Sequence, residues 1–468
     1  MTDRTQHRWS FGSGGRAAVQ AVSLAAFVYL ALAVRYGWSA YLPVDLFLRF
    51  DPLLWLLSSM TAREIAVYGA YALALVAATA LAGRFFCGWL CPLGAAMDAV
   101  RAAVRRKSGG RPAPHLPRVR WLVLLALIAA AIAGVSFAAW SDPLVIAWRT
   151  VHLFPEPGRA AAASAALALA AIGLGLFVPR FWCRGVCPLG AALSLAARWA
   201  PYRRRLSASC TRCGACTRSC PTGQSPERHS AAECLLCRRC AAACTRESVA
   251  FSFHTPSIVA AYRQGNDHPP EGGRRRLLFA LGAAAAGLGA ASVVGRRSGR
   301  APLRPPGTGS ERGFAARCVG CGACVAACPT GGLVPLLTLA RLDTAFTPEL
   351  IPRLGPCLPE CTACSEACPT GAIAPLPAEK KFDVPIGLAV IDPARCLPWA
   401  GGRRCVVCVD ACPPEYGAIE LRPVQPRVFR PFVEADRCTG CGICEHRCPV
   451  EGDSAIRIVH SGQEGASP

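Results

Sequence analysis

Apolar residues gather near the N-terminus into four runs, approximately Ala17–Val34, Ile65–Phe86, Val119–Trp140 and Ala160–Val178. Each approaches the roughly 20 residues that a helix needs to cross a bilayer, so each predicts a membrane span. No small-residue cleavage pattern closes the first run, and Arg35 and Tyr36 follow it, so it reads as a retained span and not as a removed signal. Arg101, Arg105, Arg106, Lys107, Arg111 and Arg118 lie between spans two and three, and Arg184, Arg198, Arg203, Arg204 and Arg205 follow span four. The opposite loops carry only Arg35, Arg49 and Arg63, then Arg149 and Arg159. Cytoplasmic loops collect positive charge, which orients the N-terminus and the far ends of spans two and four inward.

The pattern is duplicated. "RFFCGWLCPLGAA" (Arg84–Ala96) returns as "RFWCRGVCPLGAA" (Arg180–Ala192), and "FDPLLWL" (Phe50–Leu56) has its counterpart in "SDPLVIAW" (Ser141–Trp148). Each half reads span, Asp-Pro-Leu loop, span, Cys-x3-Cys-Pro, as a repeated helix pair would. Duplication predicts Asp51 and Asp142 together at the outer face, and Cys87, Cys91, Cys183 and Cys187 together at the inner face. The four cysteines admit three readings: a shared metal or cluster, a pair of redox-active thiol couples, or a helix-ending turn in which Pro92, Pro188, Gly94 and Gly190 do the work. The turn does not account for two cysteines appearing twice, so a shared redox or metal site is expected. For the aspartates, proton acceptance competes with simple turn or cap formation; His152 is a third outer-face candidate.

The other 24 of the 28 cysteines form six runs of four. They are Cys210, Cys213, Cys216 and Cys220; Cys234, Cys237, Cys240 and Cys244; Cys318, Cys321, Cys324 and Cys328; Cys357, Cys361, Cys364 and Cys368; Cys396, Cys405, Cys408 and Cys412; and Cys438, Cys441, Cys444 and Cys448. All but the second run end in Cys-Pro. Spacing of the form Cys-x2-Cys-x2-Cys-x3-Cys-Pro suits a 4Fe–4S cluster, with three thiolates on one loop and the fourth reaching the neighbouring cluster. That rule gives Cys244 to the first run, Cys220 to the second, Cys368 to the third, Cys328 to the fourth, Cys448 to the fifth and Cys412 to the sixth. Two gaps are widened, after Cys357 and after Cys396. Disulfides or zinc would not call for six such similar runs.

Between the ferredoxin-like blocks, "GGRRRLLFALGAAAAGLGAASVVG" (Gly272–Gly295) sets an arginine cluster before an Ala/Gly-rich apolar run, Leu277–Val294. Arg-Arg in that position resembles a twin-arginine export signal, suited to a domain that must cross already folded around its clusters. A fifth span is the plainer alternative, and Arg296, Arg297, Arg300 and Arg304 beyond the run oppose export locally. The fold class expected is a multi-domain membrane protein: an all-α four-span bundle of two repeated helix pairs plus α+β ferredoxin-like 2×4Fe–4S modules. Its domains are residues 1–200, the transmembrane part; 201–255, a cytoplasmic ferredoxin module; 256–300, a linker with leader or anchor; and 301–380 and 381–468, two further modules.

Among 468 residues, 53% are hydrophobic, and the net charge of +22 rests on arginine, the lysines being Lys107, Lys380 and Lys381 alone. With the arginines flanking apolar runs, the charge reads as membrane topology, and no nucleic-acid partner is expected. Cys-x-x-Cys-His, Gly-x-Gly-x-x-Gly after a strand and Gly-x4-Gly-Lys-Ser/Thr are all missing, which leaves c-type haem, nicotinamide or flavin, and ATP chemistry unsupported.

To about Val249 the chain resembles the NapH-type membrane ferredoxin family, which includes the membrane portions of NosR and CcoG, on the paired motifs Cys87–Cys91-Pro92 and Cys183–Cys187-Pro188 and the module from Cys210 to Cys244. From about Gly272 it resembles NapG/MauM-type ferredoxins, on the leader, the four cluster motifs and "CLPWAGGRRCVVCVDACP" (Cys396–Pro413). Together these look like a fusion of two usually separate partners. The resemblance implies a quinol dehydrogenase component of the bacterial inner membrane. It would carry electrons from menaquinol or ubiquinol through six 4Fe–4S clusters to a periplasmic c-type cytochrome or a molybdenum or copper reductase, with the first module cytoplasmic and the C-terminal ferredoxin periplasmic. A CcoG-like maturation factor and a NosR-like redox regulator are the other roles the resemblance admits.

Overall fold

The computed structural model describes residues 13–37, 43–66, 68–104, 116–154, 158–225, 230–253, 273–294, 301–337 and 342–460. Arg105, Arg106, Lys107 and Arg111, residues 256–272 of the expected linker, and Arg296, Arg297 and Arg300 lie outside them. The chain divides into two compact units: Met1–Leu30, Leu46–Val151 and Ala162–Ser292 form the first, and Ala31–Asp45, His152–Ala161 and Val293–Pro468 the second.

In the first unit the helices repeat as the sequence does, with two extra helices in each half. Helix α1 (Ser13–Arg35) is followed by α2 (Pro52–Ala62) and α3 (Gly69–Ala82), a five-residue π turn (Phe86–Leu90), and α4 (Pro92–Ala103). The second half gives α5 (Leu116–Ile132), α6 (Pro143–Leu153), α7 (Arg159–Phe177), a π turn (Trp182–Val186) and α8 (Pro188–Ala196). The two Asp-Pro-Leu segments, expected as loops, start helices of 11 residues. Asp51 Oδ1 accepts from the backbone N–H groups of Leu53 (2.8 Å) and Leu54 (3.2 Å), and Asp142 Oδ1 from those of Leu144 (2.8 Å) and Val145 (3.1 Å). An N-cap carboxylate followed by proline at the first helical position is a strong start signal.

Two of the four expected spans form helices long and apolar enough to cross a bilayer, within Gly15–Arg35 and Arg159–Phe177. The other two runs give shorter apolar helices of 14 (α3) and 17 (α5) residues. They stop early because glycines at the break take up positive φ, Gly83 at +77° and Gly134 at +85°. Phe27 of α1 joins the two halves, its ring edge-on to Phe47 at 5.2 Å and to Trp148 of α6 at 5.1 Å. Outward-facing apolar side chains are abundant: Val22, Leu73, Leu81, Leu169 and Phe177 are all more than half exposed. The apolar run after the arginine cluster forms α9 (Gly273–Val294). A Cβ on its buried Gly287 would collide with the Ala126 carbonyl of α5, so the two helices meet at backbone distance while Leu278, Phe279 and Leu281 face out.

Also in the first unit is the ferredoxin module closed by β1 (Tyr202–Leu206) and β2 (Val249–Phe253), antiparallel with Tyr202 opposite Phe253. It sits directly on the first π turn. Trp89 Nε1 donates to the Leu236 carbonyl at 3.1 Å, Arg84 Nη1 donates to the Ala232 carbonyl at 3.3 Å, and Gly88 meets the Leu235 carbonyl with no room for a Cβ.

The second unit's C-terminal part is built from short paired strands: β3 (Leu333–Pro335) with β4 (Pro348–Leu350), β5 (Leu388–Ile391) with β8 (Ile456–Val459), and the hairpin β6 (Ile419–Gln425) with β7 (Val428–Val433). Arg304, counted against export in the sequence, is a structural residue here. Its guanidinium pairs with Glu311 at 2.6 Å, donates to the Thr347 hydroxyl and the Pro348 carbonyl, and lies over the Phe314 ring.

A Gly88→Ala substitution should unseat the ferredoxin module, because the obstructing atom is backbone and cannot move aside cheaply. Hydrogen exchange over residues 231–237 should rise in that variant and stay unchanged in a Gly158→Ala control, whose Cβ would meet nothing within 4 Å.

Candidate iron–sulfur centres

Each run of cysteines folds the same way, for a local reason. A short helix carries the third cysteine and stops one residue before the fourth in four runs, as Ala215–Ser219, Ala323–Ala327 and Ile443–Arg447 do, and two residues before it in Arg239–Ala242 and Ala363–Glu366. The residue after the second cysteine must turn the chain sharply. In the four regularly spaced runs it is left-handed: Gly214 (φ 73°), Arg238 (56°), Gly322 (81°) and Gly442 (81°). In the two widened runs the equivalent residues, Thr362 and Val406, have φ of −115° and −123°. The added residues ahead of the second cysteine relieve the tight turn, so no glycine is needed there.

Fourth cysteines cross to the neighbouring run. Four small cavities are each lined by four cysteines. Cys234, Cys237 and Cys240 share theirs with Cys220; Cys357, Cys361 and Cys364 with Cys328; Cys396, Cys405 and Cys408 with Cys448; and Cys438, Cys441 and Cys444 with Cys412. Cys318 and Cys324 interact with Cys368, and Cys324 also with Cys321; Cys216 packs beside Cys240 and Cys244. The sets follow one another. In the second unit Cys324 interacts with Cys364, the Cys357 N–H donates to the Cys441 carbonyl at 2.9 Å, and Cys444 interacts with Cys408, which strings four sets in a row.

The remaining four cysteines converge in the first unit. Cys87, Cys91, Cys183 and Cys187 are all buried, and each is close enough to the other three to interact electrostatically. The π turn explains the x3 spacing. It closes by a bond from the Cys91 N–H to the Phe86 carbonyl (2.8 Å) and from the Cys187 N–H to the Trp182 carbonyl (2.9 Å), and this wide turn carries residues four apart toward one side. Cys187 is also the N-cap of α8, its sulfur accepting from the Gly190 N–H at 3.1 Å.

Asp51 and Asp142 are brought together, fully buried, joined to each other by their side chains. Beyond that pairing the Oδ2 atom of each has no donor. Capping and carboxyl pairing therefore coexist. His152 is buried elsewhere, in the second unit, where its carbonyl accepts from Arg35. The sequence reading missed Asp98, which accepts from Gln20 Nε2 at 3.2 Å and Arg180 Nη2 at 2.5 Å and pairs with Arg16. Nothing in the local pattern of α4 marks it, since its partners come from elements 82 residues away.

These donor sets suit iron–sulfur cores: no disulfide joins any of the 28 cysteines, and four thiols at this spacing are the donors a 4Fe–4S core takes. Burial pushes the thiols of Cys318, Cys364 and Cys408 up to about 12. Such thiols are protonated at neutral pH until iron displaces the proton.

Family models described as 4Fe–4S binding domains match residues 68–111, 160–207, 207–223 and 314–334, and a 4Fe–4S dicluster model matches 403–451. The first two matched segments contain the Cys-x3-Cys-Pro motifs. Sites and matches together define an iron–sulfur electron-transfer protein. Ferredoxin-type protein NapG of Escherichia coli K12 is 40% identical over 203 residues, covering 41% of this chain and 87% of that protein. Methylamine utilization ferredoxin-type protein MauM of Paracoccus denitrificans is 40% identical over 161 residues, 34% of this chain and 70% of its own length. The chain belongs to this NapG/MauM ferredoxin-type family. No solved structure matches it.

Exchange of fourth cysteines makes a specific prediction. Cys220→Ser should cost the centre held by Cys234, Cys237 and Cys240 and leave that of Cys210, Cys213 and Cys216 in place. Iron assay and spin quantitation on the anaerobically purified chain check it; loss confined to the Cys210 run would contradict the crossing.

Proposed function

We propose that this protein is a membrane-bound electron conduit that oxidises quinol and delivers the electrons to a periplasmic reductase or cytochrome, its N-terminal half being of the NapH type. Six 4Fe–4S clusters would be held by the six cysteine sets, and an additional centre by Cys87, Cys91, Cys183 and Cys187. When bound, such clusters accept and release electrons singly, without protons. The chain's own residues must therefore do the rest.

Quinol oxidation releases two protons along with its electrons, so a proton acceptor is needed near the slot where quinol is held. Asp51 and Asp142 supply it: a buried carboxyl pair keeps one site open for a proton at neutral pH. The outward-facing Val22, Leu73, Leu81, Leu169 and Phe177 suit lipid contact, and the arginine-rich loops orient the bundle. The observation that carries the reading is the seat of the first ferredoxin module on the π turn. Residues 232–236, which lead into and separate Cys234 and Cys237, touch Arg84, Gly88 and Trp89 around the Cys87–Cys91 turn. A redox centre in the bundle is thereby joined to an inner ferredoxin.

The division into units supports export of the C-terminal block. Segments 31–45 and 152–161, expected outside, fall in the same unit as residues 293–468, whereas the expected inner module falls in the other.

Clusters in membranes should be re-reduced by a menaquinol analogue, and Asp51→Asn with Asp142→Asn should slow that reduction at least tenfold while leaving iron content unchanged. Stopped-flow bleaching of the cluster absorbance measures it; an unchanged rate removes the carboxyl pair from the reaction. A C-terminal tag should be cleaved by protease added to intact spheroplasts, and a protected tag would end the export reading.

A further inference from the structure

Resting on the reading that Cys87, Cys91, Cys183 and Cys187 share one iron–sulfur centre, we infer that Arg84 and Arg180 are positioning residues that set its reduction potential, each guanidinium being lent by one half of the repeat to the turn of the other. Both are about 1% exposed. Arg84 opens the first motif, yet its Nη2 lies 2.9 Å from the point a Cβ on Gly190 would occupy, beside Cys187. The same Nη2 reaches Cys87 Sγ at 3.9 Å. Arg180 opens the second motif and does the reverse: its Nη1 fills the space a Cβ on Gly94 would need and donates to the Cys87 carbonyl at 2.9 Å, while its side chain bonds Cys183. The glycine of each Cys-Pro-Leu-Gly stretch is there to admit the arginine of the other copy.

Charge balance points the same way. Around the four thiols stand five buried guanidiniums, Arg16, Arg84, Arg120, Arg180 and Arg184, and two carboxylates, Asp98 and Glu233. Five against two leaves an excess of buried positive charge. Neutral thiols or disulfides would leave that excess uncompensated, which is costly in a low-dielectric interior. Four thiolates around an iron–sulfur core are anionic and offset it. Arg180 is spent largely on Asp98, which accepts from its Nε and Nη2. Arg84 is not: its nearest carboxylate, Glu233, stands 4.0 Å away and is already bound by Arg120. A fixed positive charge beside the sulfurs favours the form bearing one more electron.

The test is an EPR-monitored potentiometric titration of the full chain, purified in detergent without oxygen. The relevant signal is the one absent from a Cys87→Ser, Cys183→Ser double variant. In Arg84→Gln the ratio of reduced to oxidised centre at a given potential should fall about tenfold, a shift of ~59 mV for one electron, with iron content unchanged. Arg84→Lys should restore most of the wild-type midpoint. Gly190→Ala, which displaces the guanidinium without removing it, should shift the midpoint the same way by less, and carries the test if Arg84→Gln does not accumulate. An unmoved midpoint, or equal shifts in the Lys and Gln variants, overturns the inference while leaving the shared centre standing. If no signal and no iron depend on Cys87 and Cys183, the shared centre falls and the inference with it.

Discussion

Four cysteines from two sequence-distant turns meet at one end of a duplicated helical unit, and close apposition of the turns is what permits it. Side chains on Gly94 and Gly190 would collide with the guanidiniums of Arg180 and Arg84 that pack between the turns. The space left by those glycines is occupied by guanidiniums that then have to be neutralised. Asp98 and Glu233 do part of this, and each draws partners from outside its own helix: Asp98 from α1 and the second turn, Glu233 from α5. Arg120 alone reaches from α5 to Ser194 of α8 and to Glu233 of the ferredoxin module. Removing one member of such a network strands a buried charge, which costs far more than the pair contributes when intact.

That network also fixes the ferredoxin. Glu233 immediately precedes Cys234, so the salt bridges that balance the thiol pocket hold the loop carrying the next set of cysteines. One constraint thereby serves two purposes: it compensates charge, and it sets the spacing between neighbouring cysteine sets. In the second unit the job is done by backbone instead, with Cys357 and Cys441 bonded directly and Gly440 pressed against Gly387. Short strands, closed around cysteine loops, bury little apolar area on their own. Iron ligation would supply stabilisation that so small a core lacks.

Local sequence resolved much of this at the level of elements and of which cysteines gather into sets. Cysteine spacing specifies a loop, a one-turn helix and a proline stop, because the backbone geometry around three thiolates is short-range. The exceptions are as instructive. Widening after Cys357 and Cys396 moved the following residue out of the left-handed region, a change visible in the sequence as Thr362 and Val406 where the regular runs have mostly glycine. Asp-Pro twice marked a helix start, yet the helices of α2 and α6 were read as loops because neither apolar stretch is long enough to announce itself. The second and third apolar runs overstated their helices, since hydropathy does not register the positive φ of Gly83 and Gly134.

By itself the sequence determined composition-level and short-range properties: the duplicated motifs, six cysteine runs, the arginine asymmetry of the loops and the capping signals. Each depends on residues within a turn or two of one another. Only the tertiary structure decided that Asp51 faces Asp142, that Arg84 and Arg180 trade places, that Asp98 anchors three arginines, and that the first ferredoxin rests on the Cys87–Cys91 turn. Those contacts join residues up to 148 positions apart. They are settled by which buried charges can be paired and which backbones can touch, and no local pattern encodes either.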